Sequence, residues 1–126
     1  MKRAFISFDY DHDEDLRNLL VGQARNPDSP FQIADWSVKE PFPGNWQEKA
    51  RQRIRQTDLT IVICGRFTHL ATGVATELAL TRSEAKPYFL LWGRAGQLCT
   101  TPSNAPNDTI YKWTWDNLKA LIAGTR

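Results

Sequence analysis

The sequence predicts a doubly wound parallel α/β sheet, five strands in the order 2-1-3-4-5 with helices on both faces. Three observations carry this. Apolar, β-rich segments alternate along the chain with segments of helical periodicity, the pattern of repeated β-α-β units. One of them, Leu59 to Cys64, is β-branched and apolar almost throughout, as a central strand covered on both faces has to be. The chain also has 126 residues, 41% hydrophobic and 24% charged, which fits one globular domain spanning 1–126.

Ala4 to Phe8 is short and apolar and opens the sheet. An acidic turn follows, then Leu16, Leu19, Leu20 and Ala24 recur at helical spacing. Asp13, Glu14 and Asp15 fall in that helix's first turn, where its dipole favours negative charge. Asn26-Pro27-Asp28-Ser29-Pro30 breaks the chain before a second strand, Phe31 to Trp36. Pro41 to Gly44 is a loop, and Asn45 caps a helix in which Trp46, Ala50 and Ile54 face one way. After the strand Leu59–Cys64, residues 71–85 form a third helix and Pro87 to Trp92 a fourth strand. A loop over 93–108 leads to a short strand, Thr109 to Trp113. Thr114 caps a last helix with Leu118, Leu121 and Ile122 on one face, and Gly124 ends it.

Composition excludes several classes. A formal charge of +2 is too small to imply nucleic-acid binding. The basic helix carrying Lys49, Arg51, Arg53 and Arg55 is read as a solvated face, and no groove-entering element for specific nucleic-acid recognition is visible. Cys64 and Cys99 lack C-x-x-C spacing, so Cys64 is expected as a small buried hydrophobe and a disulfide is not expected. The start Met1-Lys2-Arg3 lacks the apolar region of a signal peptide, and no apolar run approaches the ~18–20 residues of a bilayer span. A cytoplasmic protein without membrane contact is expected. The five tryptophans, at 36, 46, 92, 113 and 115, are expected as packing anchors.

In this topology the ends of strands 1 and 3, Ser7–Asp13 and Gly65–Leu70, meet at the switch point where open α/β sheets bind ligands. That places Ser7, Asp9, Arg66 and Phe67 at a candidate ligand crevice. The turn after the first strand has no glycine, so it is not a dinucleotide-binding loop, and no phosphate-binding P-loop is present. A phospho-accepting receiver needs an aspartate at the end of strand 3, where Cys64-Gly65 stands. Asp9, Asp11 and Asp13 alternate like the start of a calcium loop, but Glu14 and Leu20 replace its glycine and its bidentate glutamate. No metal site is expected. Asp11 and Asp13 read as a solvated turn; Asp9, nearer the strand end, can reach a ligand.

Glu77 is the sharpest candidate. Its neighbours from Gly73 to Leu80 are uncharged, and positions 73, 74, 80 and 81 offer it no helical ion pair. A carboxylate in so apolar a helix is either on an exposed face or set inward for a purpose. Ser7 points to the opposite face of its strand from Ile6 and Phe8. His12 and His69 flank the crevice as surface histidines, and no Ser-His-Asp or Cys-His arrangement is legible.

Three segments together resemble the TIR-like family, in particular the bacterial Thoeris antiphage sensors. They are Phe5-Ile6-Ser7-Phe8-Asp9-Tyr10-Asp11, Ile61-Val62-Ile63-Cys64-Gly65-Arg66-Phe67-Thr68, and Gly73-Val74-Ala75-Thr76-Glu77-Leu78. The closing Ile110-Tyr111-Lys112-Trp113-Thr114-Trp115 also fits. The resemblance implies a flavodoxin-like sheet and cleavage of NAD+ at the nicotinamide–ribose bond, NAD+ being a substrate and not a cofactor. It implies that Glu77 is the catalytic glutamate and that Ser7, Phe8, Asp9 and Tyr10 line the pocket. It also implies self-association and an ADP-ribose-derived signal, cyclic or conjugated, acting on a downstream effector. One departure stands out: the family often has tryptophan four residues before the glutamate, and this chain has Gly73, so Phe67 is the aromatic available to replace it. Two other functions fit the same residues. One is a non-catalytic TIR-type interaction module, which tolerates Glu77 on an exposed face. The other is nucleoside deoxyribosyl transfer, which shares the sheet and a catalytic glutamate.

Overall fold

The computed structural model describes residues 1–34 and 46–125. The expected loop Pro41–Gly44, the Asn45 cap and the Asp35–Trp36 end of the second strand lie outside the described residues. Five strands are β1 (Lys2–Ser7), β2 (Phe31–Ile33), β3 (Leu59–Cys64), β4 (Tyr88–Trp92) and β5 (Ile110–Lys112). Among the described residues the α-helices are α1 (Glu14–Ala24), α2 (Trp46–Arg55), α3 (Thr72–Ser83) and α4 (Trp115–Ala123), with a 3-10 turn at Thr68–Leu70.

The strands form one sheet in the order β2-β1-β3-β4-β5, every pairing parallel. This is the doubly wound, flavodoxin-like arrangement expected. β3 is central, and all six of its residues are buried, because α1 and α4 cover one face of the sheet and α2 and α3 the other. Leu59, Ile61 and Ile63 pack with Ala4, Leu16, Leu20 and Leu118. Val62 and Cys64 pack with Val74 of α3, while Phe5 packs with Ala50, Ile54 and Leu80. The register sets Phe5 beside Thr60 and Ser7 beside Val62, so these four side chains share the face under α2 and α3.

Local signals act as expected at the last helix. Thr114 Oγ1 accepts from the Asn117 N–H at 3.1 Å, and Gly124 ends α4 in the left-handed conformation, φ 78°. Elsewhere the elements are trimmed. β1 ends at Ser7, which leaves Phe8 in the turn, β4 begins at Tyr88, and β5 covers only Ile110–Lys112. Leu16 and Leu20 are buried, but Leu19 is 57% exposed. It lies about 80° around the helix from their midpoint, off the stripe that meets the sheet. Trp46, Trp92, Trp113 and Trp115 pack partly buried against the three clusters. Cys64 and Cys99 are free, buried thiols in one apolar cluster, and burial pushes the Cys64 thiol far up from its usual range. No helix among the described residues is long and apolar enough to cross a membrane.

Candidate functional site

The site is built where β1 and β3 end beneath α3. Ser7 closes β1 on the same face as Phe5 and is fully buried. On α3, Val74, Leu78 and Thr81 are buried against the sheet. Glu77 lies three residues after Val74 and four before Thr81, so helical spacing turns it toward the sheet as well. The two meet: Ser7 Oγ donates to Glu77 Oε1 at 2.7 Å. Glu77 is therefore not on an exposed helix face; it is partly buried with its carboxyl held from the strand.

Enclosure sets its chemistry. Burial pushes the Glu77 carboxyl up to about 7, against smaller downward pulls from the Ser7 hydroxyl and the Arg53 charge on α2. A carboxyl whose folded pKa lies above its unfolded 4.5 binds its proton more tightly when folded. Its contribution to stability is then complete below about pH 4.5 and is lost as pH rises to about 7. Glu77→Gln, which keeps the shape and the Ser7 bond but carries no charge, should be more stable than the native chain by about 2–3 kcal/mol at pH 8 and equal to it near pH 4. Thermal melts of both proteins at the two pH values check this.

A second group of side chains gathers on the turn after β1. Asp9 is buried and accepts from the Asp11 N–H at 3.1 Å, while His12 Nδ1 lies 2.7 Å from its Oδ2. The His12 ring meets Phe67 at 4.7 Å between centroids, and the Arg66 guanidinium sits 5.4 Å from the centre of that same ring. Phe8 and Tyr10 pair at 6.0 Å; Phe8 packs toward the α1 and α4 face, and Tyr10 is 44% exposed. The residues picked out in the sequence thus divide. Ser7 and Glu77 meet on the α3 face, Asp9 and Phe67 meet His12 beyond the strand ends with Arg66 over the Phe67 ring, and Phe8 lies across the sheet from Ser7.

One expectation is overturned. Asp13 is not in a solvated turn: it is 1% exposed. Its Oδ1 takes the Arg94 guanidinium at 3.3 Å, and the same guanidinium reaches the His12 carbonyl at 3.0 Å and Asp15 at 2.8 Å. Asp13 Oδ2 has no hydrogen-bond partner among the described residues. It is wedged against Gly65, where a Cβ would stand 2.2 Å from that oxygen. Burial raises the Asp13 carboxyl, although Arg94 beside it pulls the other way. Arg94 was not singled out in the sequence; nothing local marks a lone arginine after β4 as the partner of residues 13 and 15.

The loop after β3 is braced from the β4–β5 connection. The Thr68 hydroxyl accepts from the Gly65 N–H at 2.7 Å, and the Thr100 hydroxyl accepts from the His69 N–H at 3.0 Å. On the basic α2, Arg51 and Arg55 both pair with Glu84, at 2.8 and 2.7 Å, so part of that charge is answered within the fold. No group of three His, Cys, Asp or Glu able to hold a metal ion occurs among the described residues.

Gly73 lies one helical turn before Glu77, and a Cβ there would meet no heavy atom within 4 Å. Gly73→Ala should therefore be accepted without strain and should stabilise the fold by up to about 1 kcal/mol through helix propensity, read as a small rise in denaturation midpoint at unchanged m.

A parallel 2-1-3-4-5 sheet with a hydroxyl-held carboxyl beside its switch point defines a flavodoxin-like α/β domain, a fold class that binds ligands outside the carboxyl ends of its strands. Within that class, the family model described as Thoeris protein ThsB, TIR-like domain, matches residues 5–93, from β1 to the end of β4. The chain belongs to that family. No curated protein matches it.

Proposed function

We propose that this chain cleaves NAD+ at the nicotinamide–ribose bond and makes an ADP-ribose-derived signal in antiphage defence. The observation that carries this reading is the inward Glu77 carboxyl, 2.7 Å from Ser7 Oγ at the end of β1 in a Thoeris-type TIR-like domain. In the proposed step the C–N glycosidic bond breaks and its electron pair leaves with the ring nitrogen, giving neutral nicotinamide. The ribose carbon is left with oxocarbenium character. An ionised Glu77 beside it stabilises the developing positive charge, as carboxylates do in glycoside cleavage. Water then captures the carbon and loses a proton to solvent, or a nucleophilic atom of the ADP-ribose itself does so and closes a ring.

Because the carboxyl titrates near 7, the ionised form grows across the physiological range. Asp9, Arg66, Phe67 and Tyr10, on the rim, are proposed to contact the rest of the dinucleotide, with Phe67 as the stacking aromatic. The signal acts on a separate effector, and self-association of the chain completes its assembly. A cytoplasmic setting suits the substrate.

A second reading has its own observation. Phe67 and Leu70 are 36% and 67% exposed in the loop after β3, as a surface used for protein contact is. This favours a non-catalytic TIR-type interaction module. Incubating the protein at high concentration with NAD+, alone and in infected-cell lysate, and following nicotinamide and its co-product by mass spectrometry separates the two. Nicotinamide with an ADP-ribose-derived co-product is expected; a folded protein that releases none under either condition favours the module.

A further inference from the structure

Two buried hydroxyls lie directly behind Glu77 and are not used by any step above. β3 is apolar except for Thr60, and the sheet-facing side of α3 is apolar except for Glu77 and Thr81. Thr60 and Thr81 are both 0% exposed, with Oγ1 atoms 2.9 Å apart. Thr81 Oγ1 also donates to the Glu77 carbonyl at 2.9 Å. A hydroxyl has one proton, so the direction of the chain is fixed: Thr60 donates to Thr81, and Thr81 donates to Glu77. The Glu77 carbonyl already takes the helical N–H of residue 81, so the hydroxyl is a second bond to the same oxygen. A threonine bonding back to the carbonyl four residues before it weakens and bends a helix slightly, and threonine is a poor helix former. A valine at either position has the same shape and adds apolar contact. Helix stability alone therefore gives no reason for this pair.

The register supplies one. β1 and β3 are adjacent, and Phe5 and Ser7 lie beside Thr60 and Val62 on one face. From that face Ser7 holds the Glu77 side chain, and Thr60 through Thr81 holds its main chain. We propose that Thr60 and Thr81 are positioning residues for Glu77, which with Ser7 fix the carboxylate at two points to two neighbouring strands. The inference rests on the reading of Glu77 as the catalytic carboxylate. A catalytic group displaced by about 1 Å can lose about a hundredfold in rate, so a helix free to slide along the sheet matters to turnover more than to folding.

The test compares native protein, Thr60→Val/Thr81→Val, Thr81→Ser and Glu77→Gln in NAD+ turnover, with a carbon-13 NMR titration of the Glu77 carboxyl as a readout independent of turnover. The double variant removes donor and acceptor together and keeps their shape, so it should fold with little change in stability. Its kcat should fall about 10–100-fold with KM within about twofold, Thr81→Ser should recover most of the rate, and the Glu77 titration should move down toward the ordinary carboxylate range. A folded double variant with native kcat, or with a native Glu77 titration, overturns the positioning role. If that result comes with an inactive Glu77→Gln, the catalytic reading stands and only the positioning fails. If no form of the protein turns over NAD+, the catalytic reading fails and the titration alone decides whether the two threonines hold Glu77.

Discussion

Glu77→Gln should lower nicotinamide release by about 10²–10³-fold or more while leaving the fold intact. The substitution exchanges a carboxylate for an amide of the same outline. The Ser7 hydroxyl, now 2.7 Å from Oε1, can donate equally well to the amide oxygen, so geometry is kept and charge alone is removed. A single preorganised group aimed at developing charge is worth about 3–4 kcal/mol when lost, which is the rate factor given. In the same variant, stability at pH 8 should rise, because burial opposes the ionised carboxyl. Loss of turnover together with gain of stability is the signature of a carboxylate kept in an unfavourable place by its use. A structural glutamate on a helix surface gives neither change.

Gly93→Ala should be strongly damaging, costing about 2–3 kcal/mol and lowering the melting temperature by roughly 5–10 °C. Gly93 follows β4 where the chain crosses the end of β3. A Cβ there stands 2.6 Å from Leu16 Cδ1, 2.7 Å from the Cys64 carbonyl oxygen and 3.1 Å from Ile63 Cγ2. Leu16 can shift, but the carbonyl cannot: it belongs to the central strand and accepts the Gly93 N–H at 2.9 Å. The methyl must break that bond or push β4 from β3. Gly65→Ala should also destabilise, because its Cβ meets the Asp13 carboxylate that Arg94 holds in place. Gly73→Ala, in open space, is the control. Denaturant melts of the three variants rank them directly.

These effects also show what was legible beforehand. β3 could be found from residues 59–64 because a strand buried on both faces has no polar alternation to obscure it. The doubly wound parallel class followed from the alternation of strands and helices along the chain. The meeting of Ser7 with Glu77 was half legible. Period-two alternation put Ser7 on the face away from Ile6, and the lack of any helical ion pair marked Glu77 as unusual, but neither says that the two touch. Asp13 was misread because the preference of helix N-termini for acids gives one sequence pattern for two structures: a carboxylate in water, or one turned inward onto a glycine. What selects the second is Arg94, 81 residues away, and no local rule reaches that far. Leu19 failed for the converse reason, being apolar but just off the buried stripe. Thr60 and Thr81 each carried a faint signal, a hydroxyl in an apolar segment, which acquires meaning only when the fold sets them 2.9 Å apart.

The central claim is that Glu77, as an ionised carboxylate, cleaves NAD+. The most direct test is the pH profile of nicotinamide release, from pH 5 to 9, for the native chain and Glu77→Gln at equal concentration. The native rate should climb through about pH 7, where the buried carboxyl loses its proton, and then level off, with the variant flat and near background throughout. A variant that releases nicotinamide at the native rate, or a native profile with no rise across that range, would contradict it.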